Sequence, residues 1–179
     1  MQSISPEIIF RGNGAWKKAL PKIIELTNRP LILGRSESTN YLRNKICNEL
    51  IDQKLFVYSA NLHFDCCQED ISRIKKIILN NKCDAIIAAG GGKVLDAGKY
   101  LAEYFSIPCI TVPLSASTCA GWTALSNIYT KNGQFIKDFV LKTCPKILVF
   151  DHQFIQTAPT RTLASGIADA LAKWYESSL

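Results

Sequence analysis

Between Ala88 and Lys99 the chain reads AAGGGKVLDAGK, three consecutive glycines and a lysine directly after an apolar run. Glycines at a strand-to-helix junction let the backbone come close to an anion, and a helix start offers free N–H groups and a positive dipole end. A phosphate fits such a turn, and three glycines exceed what a plain turn requires. An ATP-type loop is excluded, because Val94 follows Lys93 where a Ser or Thr must hold magnesium. The dinucleotide fingerprint GxGxxG is met at Gly90 and Gly92, but Leu95 takes the third place, and the turn comes too late for the usual first-turn position.

Other chemistry is sparse. Seven cysteines, an odd number without an export signal at MQSISPEIIF, read as reduced thiols rather than a disulfide framework. Neither a CxxC pair nor a Cys/His cluster occurs, which disfavours structural zinc. The net charge of +6 is spread along the chain without a basic block, so no nucleic-acid partner is expected. No window approaches the roughly 20 apolar residues of a membrane span, so no membrane partner is expected either, and the location implied is cytoplasmic.

The elements that must position the turn follow from hydrophobic periodicity. Short branched runs at 30–35, 55–60, 84–90 and 109–113 read as buried parallel strands. Between them, 40–50, 69–79 and 93–105 carry apolar residues at helical spacing, for example Ile71, Ile74, Ile77 and Ile78. Alternation of this kind means βαβ units and a doubly wound α/β sheet. After Pro113 the runs 124–130 and 134–142, joined by Asn132-Gly133, read as a β-hairpin decorating the sheet. A further strand is expected at 145–151 and a helix from Thr160, whose Leu163, Ile167, Leu171 and Trp174 form an apolar stripe that needs a partner.

Three stretches, GGGKVLDAGK, STCAGWTALSNIYT and APTRTLASGIADALAKWYE, resemble the glycerol dehydrogenase branch of the iron-containing (metal-dependent) alcohol dehydrogenases, and IIFRGNGAWKKALPKI resembles that family's first strand and helix. The resemblance implies a Rossmann-like nucleotide-binding domain over 1–158, then 159–179 as the first helix of an all-helical metal-binding domain otherwise absent from this sequence. It implies a nicotinamide cofactor, with the pyrophosphate against Gly91, Gly92 and Lys93. Asp96 would fix the helix start and touch the cofactor. Leu114, Ser115, Ser117, Thr123, Leu125 and Tyr129 would surround the nicotinamide half. Asp169, in GIADALA, matches a ligand of the family's divalent ion, zinc or iron. Its histidine partners lie in the helical domain, and His63 and His152 match neither, so no catalytic site is complete in this chain.

The departures concern selectivity. Arg35 stands where NAD-preferring members carry an aspartate for the ribose 2′-hydroxyl, so NADP is expected, with Arg35, Ser36 and Ser38 at the 2′-phosphate. The competing reading is a surface arginine at the sheet edge. Cys119 replaces an aspartate that touches the polyol, which removes an acceptor for a second hydroxyl. Trp122 replaces a small residue and should narrow the pocket or re-aim its loop, and Leu114 replaces a threonine. Cys66 and Cys67 read as structural, His63 as a loop residue, His152 as the start of a short helix, and Trp174 with Tyr175 as interface packing.

The expected activity is hydride transfer between an alcohol or polyol and NAD or NADP, with a divalent metal, this chain being the cofactor-binding part and inactive alone. Two alternatives remain: a stand-alone nucleotide-binding module, and a lyase of the dehydroquinate synthase type, which shares the architecture. The resemblance also leaves room for a homo-oligomer.

Overall fold

A computed structural model describes residues 4–178. Its centre is a six-stranded, all-parallel sheet with spatial order β1 (Ile8–Gly12), β8 (Ile147–Asp151), β5 (Cys109–Pro113), β4 (Ala85–Gly90), β2 (Pro30–Gly34), β3 (Tyr58–Asn61). Every residue of β2, β4 and β5 is buried, as expected of strands covered on both faces. Their side chains alternate between two cores. Ile32, Ile87, Ile110 and Val149 face α1 (Ala15–Leu26), α2 (Asn40–Asp52) and the short α5 (His152–Ile155), whereas Leu31, Leu33, Ile86 and Ala88 face α3 (Gln68–Asn81) and α4 (Gly92–Phe105).

The helices form where the apolar spacing places them: Ile71, Ile74 and Ile78 of α3 are buried, and Leu95, Leu101 and Ala102 of α4 likewise. The antiparallel hairpin of β6 (Leu125–Tyr129) and β7 (Phe135–Val140) is a separate two-stranded sheet packed against α4, rather than an extension of the main sheet. Gly133 adopts a φ of 80° in its turn, a conformation that favours glycine. The third strand differs from the expected 55–60. Leu55 and Phe56 spend their amides on Leu50 O (3.2 Å) and Asn28 O (2.9 Å), which closes α2 and delays pairing until Tyr58. The last helix, α6 (Thr160–Glu176), has no buried residue, and its stripe of Leu163, Ile167, Leu171 and Trp174 is 52 to 75% exposed.

At the end of the sheet away from the glycine turn, Asp84 ties the α1–β2 connection to the start of β4. It accepts from the Thr27 hydroxyl, Asn28 N (3.0 Å) and Arg29 N (2.9 Å). Burial works to raise its pKa, but these donors outweigh burial and hold the carboxyl below its ordinary range. A depressed folded-state pKa contributes stability above the unfolded value, near about 3.9, and loses it as pH falls through the folded value. Asp84→Asn should therefore destabilise the chain at pH 7 by roughly 1.5–3 kcal/mol. It should also flatten the decline in thermal midpoint below about pH 4, read by circular dichroism.

Candidate functional site

The glycine turn caps the sheet where β4 runs into α4. Gly90 ends the strand, Gly91 is the extended cap residue, and α4 starts at Gly92 with no side-chain cap. A side chain at Gly90 would collide with Val94, which packs at 2.8 Å from the Cβ position. At Gly91 the situation is reversed: the only atom near a Cβ would be Ser115 Oγ, at 3.8 Å. The backbone there faces open space that a side chain would fill.

Two hollows meet at this turn, and Gly92 with Lys93 lines both. The first, about 340 Å³, runs over Gly90–Lys93 between the loop Arg35–Thr39 and the start of α6 at Arg161, with Leu114 and Ser115 along its floor. The second, about 350 Å³, lies between α4 and the hairpin and gathers Asp96, Ser117, Cys119, Thr123, Leu125 and Tyr129. Open α/β sheets bind ligands outside the carboxyl ends of their strands, and both hollows occupy that edge. All of the residues expected at a cofactor thus line one of two adjoining spaces.

Several details differ from the expectations. Asp96 does not fix the helix start. Five residues into α4, it is 6% exposed and pairs with Lys99 (3.1 Å) beside the hairpin. Burial raises its pKa, with the Lys99 charge opposing. Thr123 precedes the hairpin strands rather than belonging to them. Trp122 is 42% exposed and lines neither hollow, which leaves of its two expected effects only the re-aiming of its loop. Leu114 is buried and offers an apolar floor, while the hydroxyls of Ser115 and Ser117 bond to each other at 3.1 Å. Cys119 is an exposed free thiol. Cys66 and Cys67 are buried, His63 lies in a loop, and His152 opens α5.

Arg35 lies one residue beyond β2 and donates from Nε to Phe64 O (3.0 Å). That carbonyl is held in place by Asp70, 1% exposed, which accepts from His63 N (2.9 Å), Phe64 N (2.7 Å) and Arg73 (2.6 Å). Ser36 and Ser38 share a hydroxyl bond of 2.7 Å beside it. Lys93 pairs with the buried Asp65, which also accepts from Cys66 N at 2.9 Å, and the Lys93 ammonium stands 5.8 Å from the Tyr129 ring. Asp65, Arg43, Lys99 and Arg161 were not singled out from the sequence. Asp65 carried a readable signal, as a lone carboxylate in the loop after the third strand, at the sheet edge where ligands bind.

Asp169 sits on α6, 43% exposed at its side chain, and pairs with Lys173 at 3.5 Å. Among the described residues no group of three or more His, Cys, Asp or Glu could hold a metal ion. Alpha6 approaches the loop after β5 closely: a Cβ on Gly166 would overlap the Ala116 carbonyl.

One buried ammonium ties the hairpin wall of the second hollow to α4. Lys99 is 2% exposed and donates to Thr123 O (3.2 Å), Thr123 Oγ1 (3.4 Å) and Leu125 O besides pairing with Asp96. Lys99→Met leaves the Asp96 charge buried without its partner, at a cost of about 3–5 kcal/mol. Urea unfolding should report that loss, and amide exchange in 123–129 should accelerate. Unchanged stability and protection would show that the ammonium does not hold the hairpin.

Comparison with known proteins agrees with this arrangement. Residues 6–152 match the iron-containing alcohol dehydrogenase family. The chain is 36% identical over 177 residues to an uncharacterized oxidoreductase of Synechocystis, covering 99% of this chain and 46% of the relative. It is 36% identical over 152 residues to a glycerol dehydrogenase of Escherichia coli, covering 85% and 41%. The crystal structure of a probable glycerol dehydrogenase from Sinorhizobium meliloti superposes with a TM-score of 0.86 at 26% identity, over 97% of this chain and 47% of that one. The chain spans about half the length of these relatives. No helix among the described residues is long and apolar enough to cross a membrane. A parallel sheet with its glycine turn over two adjoining hollows, and a match that runs from the first strand through the last, identify the chain as a member of the iron-containing alcohol dehydrogenase family.

Proposed function

We propose that this chain is the cofactor-binding part of an NAD(P)-dependent, divalent-metal-dependent oxidoreductase that transfers hydride between an alcohol or polyol and the nicotinamide ring. The observation that carries this reading is the open space at Gly91, framed by Lys93 and the hydroxyl of Ser115, which fits a pyrophosphate. The family match supports the dehydrogenase over a lyase of similar architecture.

In this reading Gly91, Gly92 and Lys93 neutralise the pyrophosphate, and Lys93 exchanges Asp65 for phosphate oxygens. The adenosine half lies toward Arg35, Ser36 and Ser38, whose cation and hydroxyls favour the 2′-phosphate of NADP. The nicotinamide half lies in the second hollow, with Thr123, Leu125 and Tyr129 as its wall and Asp96 behind them. Bound there, the nicotinamide supplies the hydride acceptor. Cys119 borders this space as a weak donor in place of a carboxylate, so the substrate class is an alcohol or polyol without a strong demand for a second hydroxyl acceptor.

The metal fits less well. Asp169 is a single carboxylate already paired with Lys173, and one ligand does not make a catalytic site. The exposed apolar stripe of α6 supports residues 159–179 as the first helix of a helical part that would complete that site. The cysteines form no disulfide among the described residues, which agrees with a reducing cytoplasmic setting.

Calorimetric titration tests the assignment. NADP should bind more tightly than NAD, and Arg35→Ala should weaken NADP about tenfold or more while leaving NAD within about twofold. Equal loss for both removes the NADP assignment, and binding of neither removes the dinucleotide reading. Alcohol oxidation should require a longer chain that adds two histidines to Asp169.

A further inference from the structure

Arg43, on α2, is 5% exposed, and among the described residues it forms no ion pair. Its guanidinium lies across Gly34, where any side chain would run into it. It donates to Thr39 Oγ1 at 2.6 Å, to Ser36 O at 2.7 Å and to Asn40 Oδ1 at 3.5 Å, all neutral acceptors. An arginine keeps its proton in proteins, so the site holds a whole positive charge whose direct partners are neutral. Such a charge is costly to bury unless something offsets it.

The same bonds say where an offset would lie. Ser36 and Thr39 line the first hollow, so the Arg43 charge stands directly behind the wall formed by the Arg35–Thr39 loop. Arg35, on the solvent side, is an exposed guanidinium, and exposed charges are attenuated by water. Arg43 is fixed and acts through protein, where the same charge has a longer reach.

We propose that Arg43 is a positioning and specificity-determining residue, which shapes the Arg35–Thr39 loop and sets a fixed positive charge behind the seat of a phosphate monoester. It thereby selects a 2′-phosphorylated adenosine over one with a free 2′-hydroxyl. This rests on the dinucleotide reading above. It goes further in making a residue outside the cleft a second contributor to selectivity, with Arg35 as the contact at its surface.

Adenosine 2′,5′-bisphosphate and 5′-AMP probe the adenosine half alone and need no metal or hydride transfer. Titrations of both, and of NADP and NAD, compare wild type with Arg43→Gln, which keeps an amide donor without the charge, and Arg43→Lys, which keeps the charge. Arg43→Gln should weaken the bisphosphate and NADP about tenfold and leave 5′-AMP and NAD within about threefold, while Arg43→Lys retains most of the wild-type ratio. Equal weakening of both classes in Arg43→Gln assigns Arg43 a purely structural role and overturns the proposal. Should Arg43→Gln fail to fold, a folded Arg43→Lys that has lost the ratio overturns it equally. Wild type that binds NAD more tightly than NADP refutes the NADP assignment together with this inference, whereas wild type that prefers NADP with the ratio unchanged in Arg43→Gln refutes this inference alone.

Discussion

Alpha4 lies directly on β4 because Gly98 has no side chain where the helix crosses Ala88, and any Cβ there would collide with the alanine methyl. That close approach orients the helix start over the strand end, so Gly90, Gly91 and Gly92 form a turn instead of a longer loop. The rest of the site is referred to this one contact. The hairpin hangs from α4 through Lys99, and Ser126 donates its hydroxyl to Asp96 O at 3.0 Å. The loop after β5 joins the same corner through Leu114 N on Gly90 O, at 3.0 Å.

Charge around this corner is arranged in three ways. Lys99 and Asp96 are buried together, and each reduces the cost of burying the other. Lys93 reaches from the surface to the buried Asp65, so this pair has one partner in contact with water and one out of it. Arg43 is buried among neutral acceptors only. The first arrangement gives rigidity, the second a half-exposed cation at the meeting point of both hollows, and the third a standing positive potential beside one end of the cleft.

Much of the fold was legible in the chain. Runs such as Ile86-Ile87 and the spacing of Ile71, Ile74 and Ile78 report burial, which is a local property of strand and helix faces. The turn at Asn132-Gly133 was readable for the same reason, since a positive φ restricts the residue that can stand there. What failed to show were boundaries and partners. Leu55 and Phe56 look like strand by composition, but their amides are claimed by α2 and the α1–β2 turn. Asp96 looks like a residue of the helix start, yet its partner comes from the next turn of α4 and its neighbours from a hairpin about 30 residues away.

By itself the sequence determined the alternation of strands and helices, the glycine turn with its lysine, and the family, because these depend on residue type and near-neighbour spacing. Only the tertiary structure decided which charges are buried and with what. Asp65 meets Lys93 across 28 residues, and Arg43 ends up behind the loop that Arg35 opens. It also decided that Asp169 is paired with Lys173 on an exposed helix, with no metal-holding cluster of His, Cys, Asp or Glu among the described residues. Burial and pairing of charges are properties of the packed sheet and its neighbours, since the dielectric surroundings of a side chain come from chain segments that only folding brings to it.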